Sequence, residues 1–340
     1  MTKTKILVTT PDYPPKLGGL STFSKNLVKL LEDNGHDVKV LCWTNVREAS
    51  HTYASNKEFD LFFHIHYLGG LLGGFPRSKS VNFCHGSELF FTSPNILKRI
   101  VKKITKDKSL QYFQESSQNI FISKYTRGIL QKSGLKINYG RDIVFHNCIP
   151  LPQTIPVSKL LKTNESIKLC SIARDVPHKN LDGVFQFAKI LAKISKRKVE
   201  LSMTSHRFNS ISDVSYTDIS NISDSKLRSV YQDSDYNILL SKNDASKGFI
   251  EGFGLTTLEA AKYGTPSIVS SSGGLKENIH HDFNGYRLND INENSVEEFY
   301  NRSLDQYGSW SQNCIDHLIN SHSMDVFQRL LSKMIGSHNE

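Results

Sequence analysis

The feature that most constrains the fold is the regular alternation of short apolar runs with amphipathic stretches. Several gaps between the runs carry helical spacing, as at residues 22–33 and 124–131. Strands that alternate with helices build a parallel sheet with helices on both faces. The first half of the chain therefore predicts a doubly wound α/β domain. Its strand-like runs are residues 5–9, 38–42, 61–67, 81–84, 119–122 and 143–146.

The same alternation returns in the second half of the chain. Residues 149–164 between the two halves contain three prolines and few large apolar side chains, which favours a linker. We therefore predict two Rossmann-like domains, 1-150 and 151-320, with a ligand site in the cleft between them. A C-terminal helix at 321-340 is expected to pack back on the first domain. The second set of predicted elements comprises strands at 168–172, 199–203, 236–240 and 267–270, and helices at 181–195, 224–232 and, as a pair, within 310–335.

Cysteine and charge content exclude several classes of protein. The five cysteines are scattered and form no CxxC pair, which is typical of reduced thiols and not of a disulfide framework or a zinc site. No signal peptide or membrane-spanning run is visible, so we expect a cytoplasmic protein. The 42 Lys and Arg against 33 Asp and Glu favour an anionic partner. We do not expect that partner to be a nucleic acid.

Two glutamates bracket a glycine-containing turn in the second half, because Glu251 and Glu259 enclose the run GFGLTTL. Good helix formers follow, and Gly264 and Pro266 end the predicted helix. Glycines let a ligand approach the backbone, free N–H groups at a helix start suit phosphate, and carboxylates accept hydrogen bonds from sugar hydroxyls. The stretch therefore predicts a nucleotide sugar as ligand. Thr256 and Glu259 also fit the capping-box spacing, which is the structural alternative for Glu259.

This stretch resembles the Glu-x7-Glu motif of family 4 of the retaining glycosyltransferases, which have the two-domain GT-B fold. The segments GGLKENI at 273–279 and NGYRL at 284–288 resemble later parts of the same domain. The resemblance covers nearly the whole chain and implies an α/β GT-B fold with an interdomain cleft. It implies that Glu251 binds the donor sugar and that Glu259 holds the ribose. The residues it places at the sugar or the diphosphate are Phe253, Gly254, Leu255 and Thr256.

The segment SIARDVPHKN at 171–180 is similar to the family's Gly-Arg…Lys-Gly signature. The resemblance implies that Arg174 and Lys179 neutralise the diphosphate without a metal ion. Ala173 and Asn180 depart from the pattern, because each stands where glycine is usual. An exposed Arg and Lys at a loop–helix junction is the structural alternative.

Two segments of the first half extend the resemblance. PPKLGGLSTF at 14–23 resembles the family's N-terminal glycine loop, which implies that Gly18 and Gly19 lie near the donor phosphate and the acceptor. The alternative is a turn whose helix is capped by Ser21 or Thr22. FCHGSE at 83–88 implies that His85 contacts the donor sugar and helps to position the reacting centre.

The sequence predicts neither a metal site nor a cofactor. Asp233 and Asp235 spell the DxD of metal-dependent sugar transferases, but they lie between a helix and a strand, which indicates a cap and a turn. His64 and His66 share one face of a predicted strand and lack a third ligand close in sequence. A place for these histidines in the core is therefore favoured.

Residues 95–111, NILKRIVKKITKDKSLQ, predict a basic amphipathic helix. Two interpretations are open: a helix at an anionic membrane surface, or an ordinary domain helix whose apolar stripe packs on the sheet. The apolar stripe comprises Leu97, Ile100, Val101 and Ile104, and the lysines on other faces are Lys98, Lys102, Lys103 and Lys106.

The resemblance implies a retaining, metal-independent hexosyltransferase that uses a UDP- or GDP-sugar as donor and a hydroxyl of a glycan or lipid diphosphate-linked glycan as acceptor. That activity suits bacterial surface-polysaccharide or lipopolysaccharide biosynthesis at the inner face of the plasma membrane. The alternatives are a GT-B relative such as a sugar-nucleotide epimerase, and a non-catalytic nucleotide- or carbohydrate-binding subunit. The implied catalytic residues are His85, Arg174, Lys179 and Glu251.

Overall fold

The computed structural model of the chain describes residues 3–16, 18–86, 91, 95–244 and 247–336, without the side chain of Lys98. It divides into two compact units. Unit 1 comprises Met1–Asn147 and Asp244–Gly252, and unit 2 comprises Cys148–Asn243 and Phe253–Glu340. The packing of residues 321-340 on the first domain stays a prediction.

Unit 1 contains a parallel sheet with the strand order β2-β1-β3-β4-β5-β6. The strands are β1 (Lys5–Thr10), β2 (Asp37–Cys42), β3 (Leu61–His64), β4 (Ser80–Cys84), β5 (Gln118–Phe121) and β6 (Asp142–Val144). The helices are α1 (Gly19–Asp33), α2 (Val46–Ala49), α3 (Tyr67–Gly73), α4 (Ile96–Ile104), α5 (Lys106–Glu115) and α6 (Lys124–Lys132).

Unit 2 repeats the architecture with the strand order β12-β11-β10-β7-β8-β9, again parallel. Its strands are β7 (Ile167–Ser171), β8 (Val199–Met203), β9 (Val214–Asp218), β10 (Tyr236–Leu239), β11 (Ser267–Ser270) and β12 (Gly285–Leu288). Its helices are α7 (Leu181–Ser195), α8 (Asp224–Asp233), α9 (Leu255–Ala261), α10 (Leu275–Asn278), α11 (Glu293–His322) and α12 (Met324–Gly336).

The predicted α/β class with two doubly wound sheets is confirmed. The strands form where apolar residues run without interruption, because strands covered on both faces are buried throughout. In unit 2, α7 buries the predicted stripe against the sheet and joins the largest aromatic side chains of the core. The core positions in that stripe are Val184, Phe187, Ala188 and Leu191.

Two predicted elements of unit 1 differ from the structure. The strand predicted at 61–67 ends at His64, and helix α3 follows with the sequence YLGGLLG. Gly70 in α3 is required by packing, since a Cβ there would lie 1.9 Å from the Tyr112 hydroxyl. The helix predicted at 95–111 is two helices, α4 and α5, which meet at Thr105. The Thr105 hydroxyl donates to the Val101 carbonyl at 2.9 Å, a contact that bends helices.

Across the described part of the chain, no helix is both long enough and apolar enough to span a membrane.

Candidate functional site

Each sheet reverses its strand order at one point, and ligands of open α/β sheets bind at the carboxyl ends of the strands beside that point. In unit 1 the reversal lies between β1 and β3, and in unit 2 it lies between β7 and β10. The loop with Gly18 follows β1, and the loop with Arg174 follows β7. Both predicted phosphate-side segments therefore lie where the topology favours a ligand.

Helix α1 starts without a side-chain cap. Its N-cap is Gly18, whose φ of 151° is a conformation that favours glycine, and the Thr22 N–H donates to the Gly18 carbonyl at 3.0 Å. The interpretation of Ser21 or Thr22 as the cap is therefore wrong, because the helix begins at Gly19, before either residue. The proximity of Gly18 and Gly19 to a donor stays a prediction.

The structure brings His85 and the segment carrying Glu251 together within unit 1. A Cβ on Gly252 would lie 2.4 Å from the His85 carbonyl oxygen, and one on Gly86 would lie 3.0 Å from Ile250. The turn after β4 therefore packs directly on the chain around Glu251, which is 7% exposed. Sequence reasoning placed both residues at the donor sugar, but it offered no signal that Gly252 serves this contact.

His85 lies in an apolar and aromatic environment. Its ring meets Phe23 of α1 edge-on, with 4.5 Å between centroids. Burial, and then the nearby His66 ring, lower the pKa of His85 to about 3. A neutral imidazole is thus favoured near pH 7. Such a ring can position a sugar hydroxyl through a hydrogen bond without bringing a positive charge.

His66 does not share a strand face with His64, so that prediction is wrong. Strand β3 ends at His64, and the His66 Nδ1 accepts from the Leu68 N–H at 3.2 Å, capping α3. Burial, and then the charge of Lys102, lower the pKa of His66 to about 4. Its ring meets Trp43 edge-on at 5.7 Å. Trp43 was missed from the sequence, and its Nε1 has no hydrogen-bond partner among the described residues.

The loop after β7 carries the two predicted diphosphate-binding cations. Arg174 is exposed and Lys179 is half-buried at the end of a 3-10 turn, Pro177–Lys179. Asn180 follows with φ 53°, a left-handed conformation that glycine adopts most easily and asparagine tolerates best among other residues. Asparagine at position 180 therefore suits the backbone conformation observed there. The Asn180 side chain also donates to the Leu240 carbonyl at 3.1 Å.

Arg207 holds this loop in place, and sequence reasoning did not find it. Its guanidinium donates to both carboxylate oxygens of Asp175, at 2.9 and 3.0 Å, and to Asp182 at 3.0 Å. The Ser205 hydroxyl also donates to Asp175 at 2.6 Å. Hydrogen bonds from Arg207 and then Ser205 hold the pKa of Asp175 below its usual range. Asp175 is the residue after Arg174, so this network orders the loop that carries Arg174 and Lys179.

The glycines of the Glu251–Glu259 stretch serve packing. Gly254 is the N-cap of α9 with φ 86°, and a Cβ there would lie 2.5 Å from Leu275. The adjacent Phe253 is 1% exposed, and its ring lies 5.4 Å from that of His322. Neighbouring atoms of the protein fill the space at Gly252 and at Gly254. The presence of glycine at these two positions is therefore explained by packing, without a ligand that approaches the backbone.

The capping box predicted for Thr256 and Glu259 is wrong. Helix α9 begins at Leu255 with no side-chain cap, and the Thr256 hydroxyl is buried without a hydrogen-bond partner among the described residues. The Glu259 Oε2 instead accepts from the Tyr231 hydroxyl at 2.9 Å. Burial raises the pKa of the Glu259 carboxyl above its usual range, although the bond from Tyr231 opposes the shift.

Asp233 and Asp235 lie between a helix and a strand, as predicted, but the structure gives Asp235 a contact with a distant strand in place of a cap. Helix α8 ends at Asp233, and the Asp235 carboxylate accepts from the Lys168 N–H at 2.7 Å. Burial raises the pKa of Asp235. Within the residues that the structure describes, no three His, Cys, Asp or Glu side chains converge as metal ligands.

The fold defines the class of architecture: two parallel six-stranded sheets, each enclosed by helices, match solved GT-B glycosyltransferases. HepE of Anabaena, in complex with UDP and glucose, superposes with a TM-score of 0.68 at 13% identity and covers 98% of this chain and 100% of its own. Sucrose-phosphate synthase of Thermosynechococcus elongatus gives 0.72 at 14% identity over 98% of this chain and 99% of its own.

Two sequence comparisons point in the same direction over shorter stretches. Residues 217–307 match the family model "Glycosyl transferases group 1", and this segment contains both glutamates of the stretch 251–259. An uncharacterised glycosyltransferase of Methanocaldococcus jannaschii is 35% identical over 79 residues. That match spans 23% of this chain and 19% of the relative's length.

Proposed function

We propose that the protein is a retaining glycosyltransferase of family 4 that moves a hexose-type sugar from a nucleoside diphosphate sugar to a hydroxyl acceptor. The observation that carries the proposal is the position of Glu251 and Glu259. Both fall in the segment that matches the glycosyltransferase model, and the whole chain has the GT-B fold. The complex of HepE with UDP and glucose supports a nucleotide-sugar donor. We propose a donor of UDP or GDP type.

In this proposal Glu259 binds the ribose hydroxyls. Its Oε2 is occupied by Tyr231, which leaves Oε1 to accept from the ligand. Arg174 and Lys179 neutralise the diphosphate, so the leaving group needs no divalent metal. The order that Arg207 imposes through Asp175 supports this role, because a fixed cation loses less conformational entropy on binding.

Glu251 and His85 act at the sugar. The contact between Gly252 and the His85 carbonyl supports a shared task, since it keeps the two residues near each other. Glu251 accepts hydrogen bonds from sugar hydroxyls, and neutral His85 positions the reacting centre. The attack occurs on the front face, and the leaving phosphate helps to take the acceptor proton. The configuration at the anomeric carbon is thereby retained.

We further propose that the acceptor is a glycan or a lipid diphosphate-linked glycan, as in bacterial surface-polysaccharide or lipopolysaccharide assembly. The enzyme would then work in the cytoplasm, at the inner face of the plasma membrane. The excess of basic over acidic residues supports an anionic partner of this kind.

A panel of UDP-, GDP- and ADP-sugars tests the function through slow nucleotide release in the absence of acceptor. We expect release from one donor class and unchanged nucleotide affinity in the presence of a chelator. Arg174→Ala should weaken nucleotide binding by roughly one to two decades, the equivalent of losing a charge-assisted hydrogen bond. Lys189→Ala, an exposed change on α7 of the same unit, is the matched control.

The roles of the two glutamates can be separated. Glu251→Gln should reduce turnover more than nucleotide affinity, whereas Glu259→Ala should reduce nucleotide affinity. Identical effects of the two changes would contradict this division. If the protein converted the donor to an epimeric nucleotide sugar without transferring the sugar, the function would be epimerisation and not glycosyl transfer. Nucleotide binding with neither reaction would indicate a binding subunit.

A further inference from the structure

Helix α4 carries an apolar stripe that faces solvent. The helix has no acidic residue, and its positions 98, 99, 102 and 103 are basic. The stripe spans about 14 Å along the helix axis, at 1.5 Å per residue. Single exposed apolar side chains are ordinary, but a contiguous stripe marks an interaction surface. Its residues are Ile96 at 60% exposure, Leu97 at 71%, Ile100 at 49%, Val101 at 59% and Ile104 at 75%.

The next helix shows that this exposure is specific to α4. Tyr112 and Phe113 of α5 are 1% and 0% exposed and belong to a core cluster of unit 1. The bend at Thr105 separates the two helices, so α5 packs on the sheet while the apolar face of α4 remains outside. The interpretation that the stripe of 95–111 packs on the sheet is therefore wrong for α4.

The basic side of α4 lies opposite the stripe on a helical projection of about 100° per residue. Lys102 is half-buried, and its charge lowers the pKa of His66 at the carboxyl edge of the unit 1 sheet. Lys103 is exposed and projects about 20° from Ile96, at one border of the stripe. An apolar stripe bordered by cations fits the boundary between lipid headgroups and acyl chains.

We propose that α4 is a membrane-docking helix whose stripe inserts into the interface of an anionic bilayer. The apolar side chains enter the acyl boundary, while Arg99 and Lys103 contact phosphate groups. The inference rests on the proposed function in one respect: it explains how a lipid-linked acceptor reaches the enzyme.

Charge favours a bilayer over a second copy of the chain as the occupant of this surface. Pairing two α4 helices would bring eight basic positions together without an acidic residue in either helix, and each chain has a net charge of +9. Like charges at an interface oppose association. An anionic leaflet instead attracts each cation near its surface, by about fivefold in affinity per residue.

Vesicle sedimentation tests the proposal with the full chain. The vesicles are phosphatidylcholine alone and an equal mixture of phosphatidylcholine with phosphatidylglycerol. We expect binding to the mixed vesicles, weaker binding to the neutral ones, and a steep loss between low and physiological salt. Leu97→Ser with Ile104→Ser should lower the affinity by about tenfold or more. Arg99→Gln with Lys103→Gln should lower it by up to about 25-fold at low salt.

Matched controls lie in unit 2. Leu304→Ser removes an apolar side chain of 46% exposure from α11, and Lys226→Gln removes an exposed cation from α8. Neither should change vesicle binding. Equal sedimentation of the native chain and the stripe variant would overturn the proposal, as would equal binding to neutral and mixed vesicles. A native dimer that the stripe variant converts to a monomer would assign the surface to a second copy.

The same variants separate this inference from the proposed function. Nucleotide affinity measured without vesicles should be unchanged in the stripe variant. If the native chain bound nucleotide but not vesicles, the docking helix alone would be refuted. Vesicle binding without affinity for any nucleotide would refute the proposed function alone.

Discussion

Helices α7 and α4 have similar sequence patterns and opposite environments. The stripe of α7 is entirely buried, with Phe187 and Leu191 at 0% exposure. The stripe of α4 is entirely exposed, with Ile104 at 75%. Both are amphipathic by spacing, so periodicity identifies an apolar face without identifying what covers it.

The charged residues explain more of the difference than the apolar ones do. The basic positions of α4 are consecutive pairs, 98–99 and 102–103, with no acid between them. Helix α7 has Asp182 in its first turn and Lys193 in its last, the arrangement that suits the helix dipole of an ordinary domain helix. An apolar stripe opposed by cations alone indicates an external anionic surface.

The largest expected contrast is in folding stability. Leu191→Ala in α7 should lower the free energy of unfolding by about 2–5 kcal/mol, since it leaves a cavity in a fully buried part of the core. Ile104→Ala in α4 should change the free energy of unfolding by no more than about 0.5 kcal/mol. Calorimetric unfolding of both variants without lipid measures the difference. Equal destabilisation would show that the α4 stripe is covered within the folded chain.

A second contrast uses lysines instead of apolar residues. The Lys159 ammonium lies within hydrogen-bonding distance of four oxygens around the end of α8, and burial lowers its pKa to about 8. Lys159→Met should cost about 1.5–3 kcal/mol, because buried carbonyls lose a charged donor. The four acceptors are the carbonyls of Tyr231 at 3.2 Å, Gln232 at 2.6 Å and Ser234 at 2.9 Å, and the hydroxyl of Thr265 at 2.6 Å.

Lys103→Met in α4 is the matched change at an exposed position. It should leave the melting temperature within experimental error and should weaken vesicle binding. A comparable loss of stability in both variants would mean that Lys103 has a structural partner, and the charge argument for α4 would lose its basis.

Much of the fold could be predicted because buried parallel strands are apolar throughout. The predicted bounds of α7, β8 and β11 agree with the structure to the residue. Strand β9, VSYTD, was missed because an edge strand exposes most of its side chains and loses the apolar signal. Helix α3 was missed because its glycines suggest a turn.

The site was less predictable, since its determinants are contacts between distant segments. The spacing of Thr256 and Glu259 indicated a cap, but the partner of Glu259 is Tyr231, 28 residues earlier. The pairing of Arg207 with Asp175 likewise joins two loops. Nothing in local sequence encodes either pair. The position of Asn180 is different, because its residue type is one that tolerates a left-handed backbone.

Acid should destabilise the protein through buried histidines. His64 contacts the Thr9 and Ser80 hydroxyls at 2.8 and 3.2 Å, and burial lowers its pKa to about 3. Below pH 6.5 the unfolded chain binds a proton that the folded chain does not, so the stability is lost as pH falls from about 6.5 toward 3. The slope is about 1.4 kcal/mol per pH unit for one such group.

His64→Asn should reduce this slope by the contribution of about one proton, whatever its effect on stability at neutral pH. The exposed His281→Asn is the control for the loss of a histidine at the surface. Denaturant titrations at several pH values between 4 and 7 give both slopes. An unchanged slope in the His64 variant would show that the ring can be protonated without unfolding.

The smallest expected effect concerns Glu259, which resembles the α4 stripe in one respect: the unliganded fold holds it in an unfavourable environment. Its pKa is raised by burial, so between the ordinary carboxyl pKa and the raised value the folded chain binds more protons than the unfolded chain. Stability from this group therefore falls as pH rises through that window. Glu259→Gln should melt at or slightly above the native temperature at pH 7, and its advantage should shrink as the pH approaches the ordinary carboxyl range.

The comparison extends to function, because a ligand can relieve each unfavourable environment. Ribose hydroxyls would donate hydrogen bonds to Glu259, and an anionic bilayer would cover the apolar stripe of α4. Exposed apolar stripes and buried carboxylates are commonly found where function requires them. Glu259→Gln should therefore lose nucleotide affinity while it keeps or gains stability, and Glu297→Gln on the exposed side of α11 should change neither. If Glu259→Gln instead lowered the stability by the same amount at every pH, Glu259 would be a structural partner of Tyr231. Its assignment to the ribose would then fail.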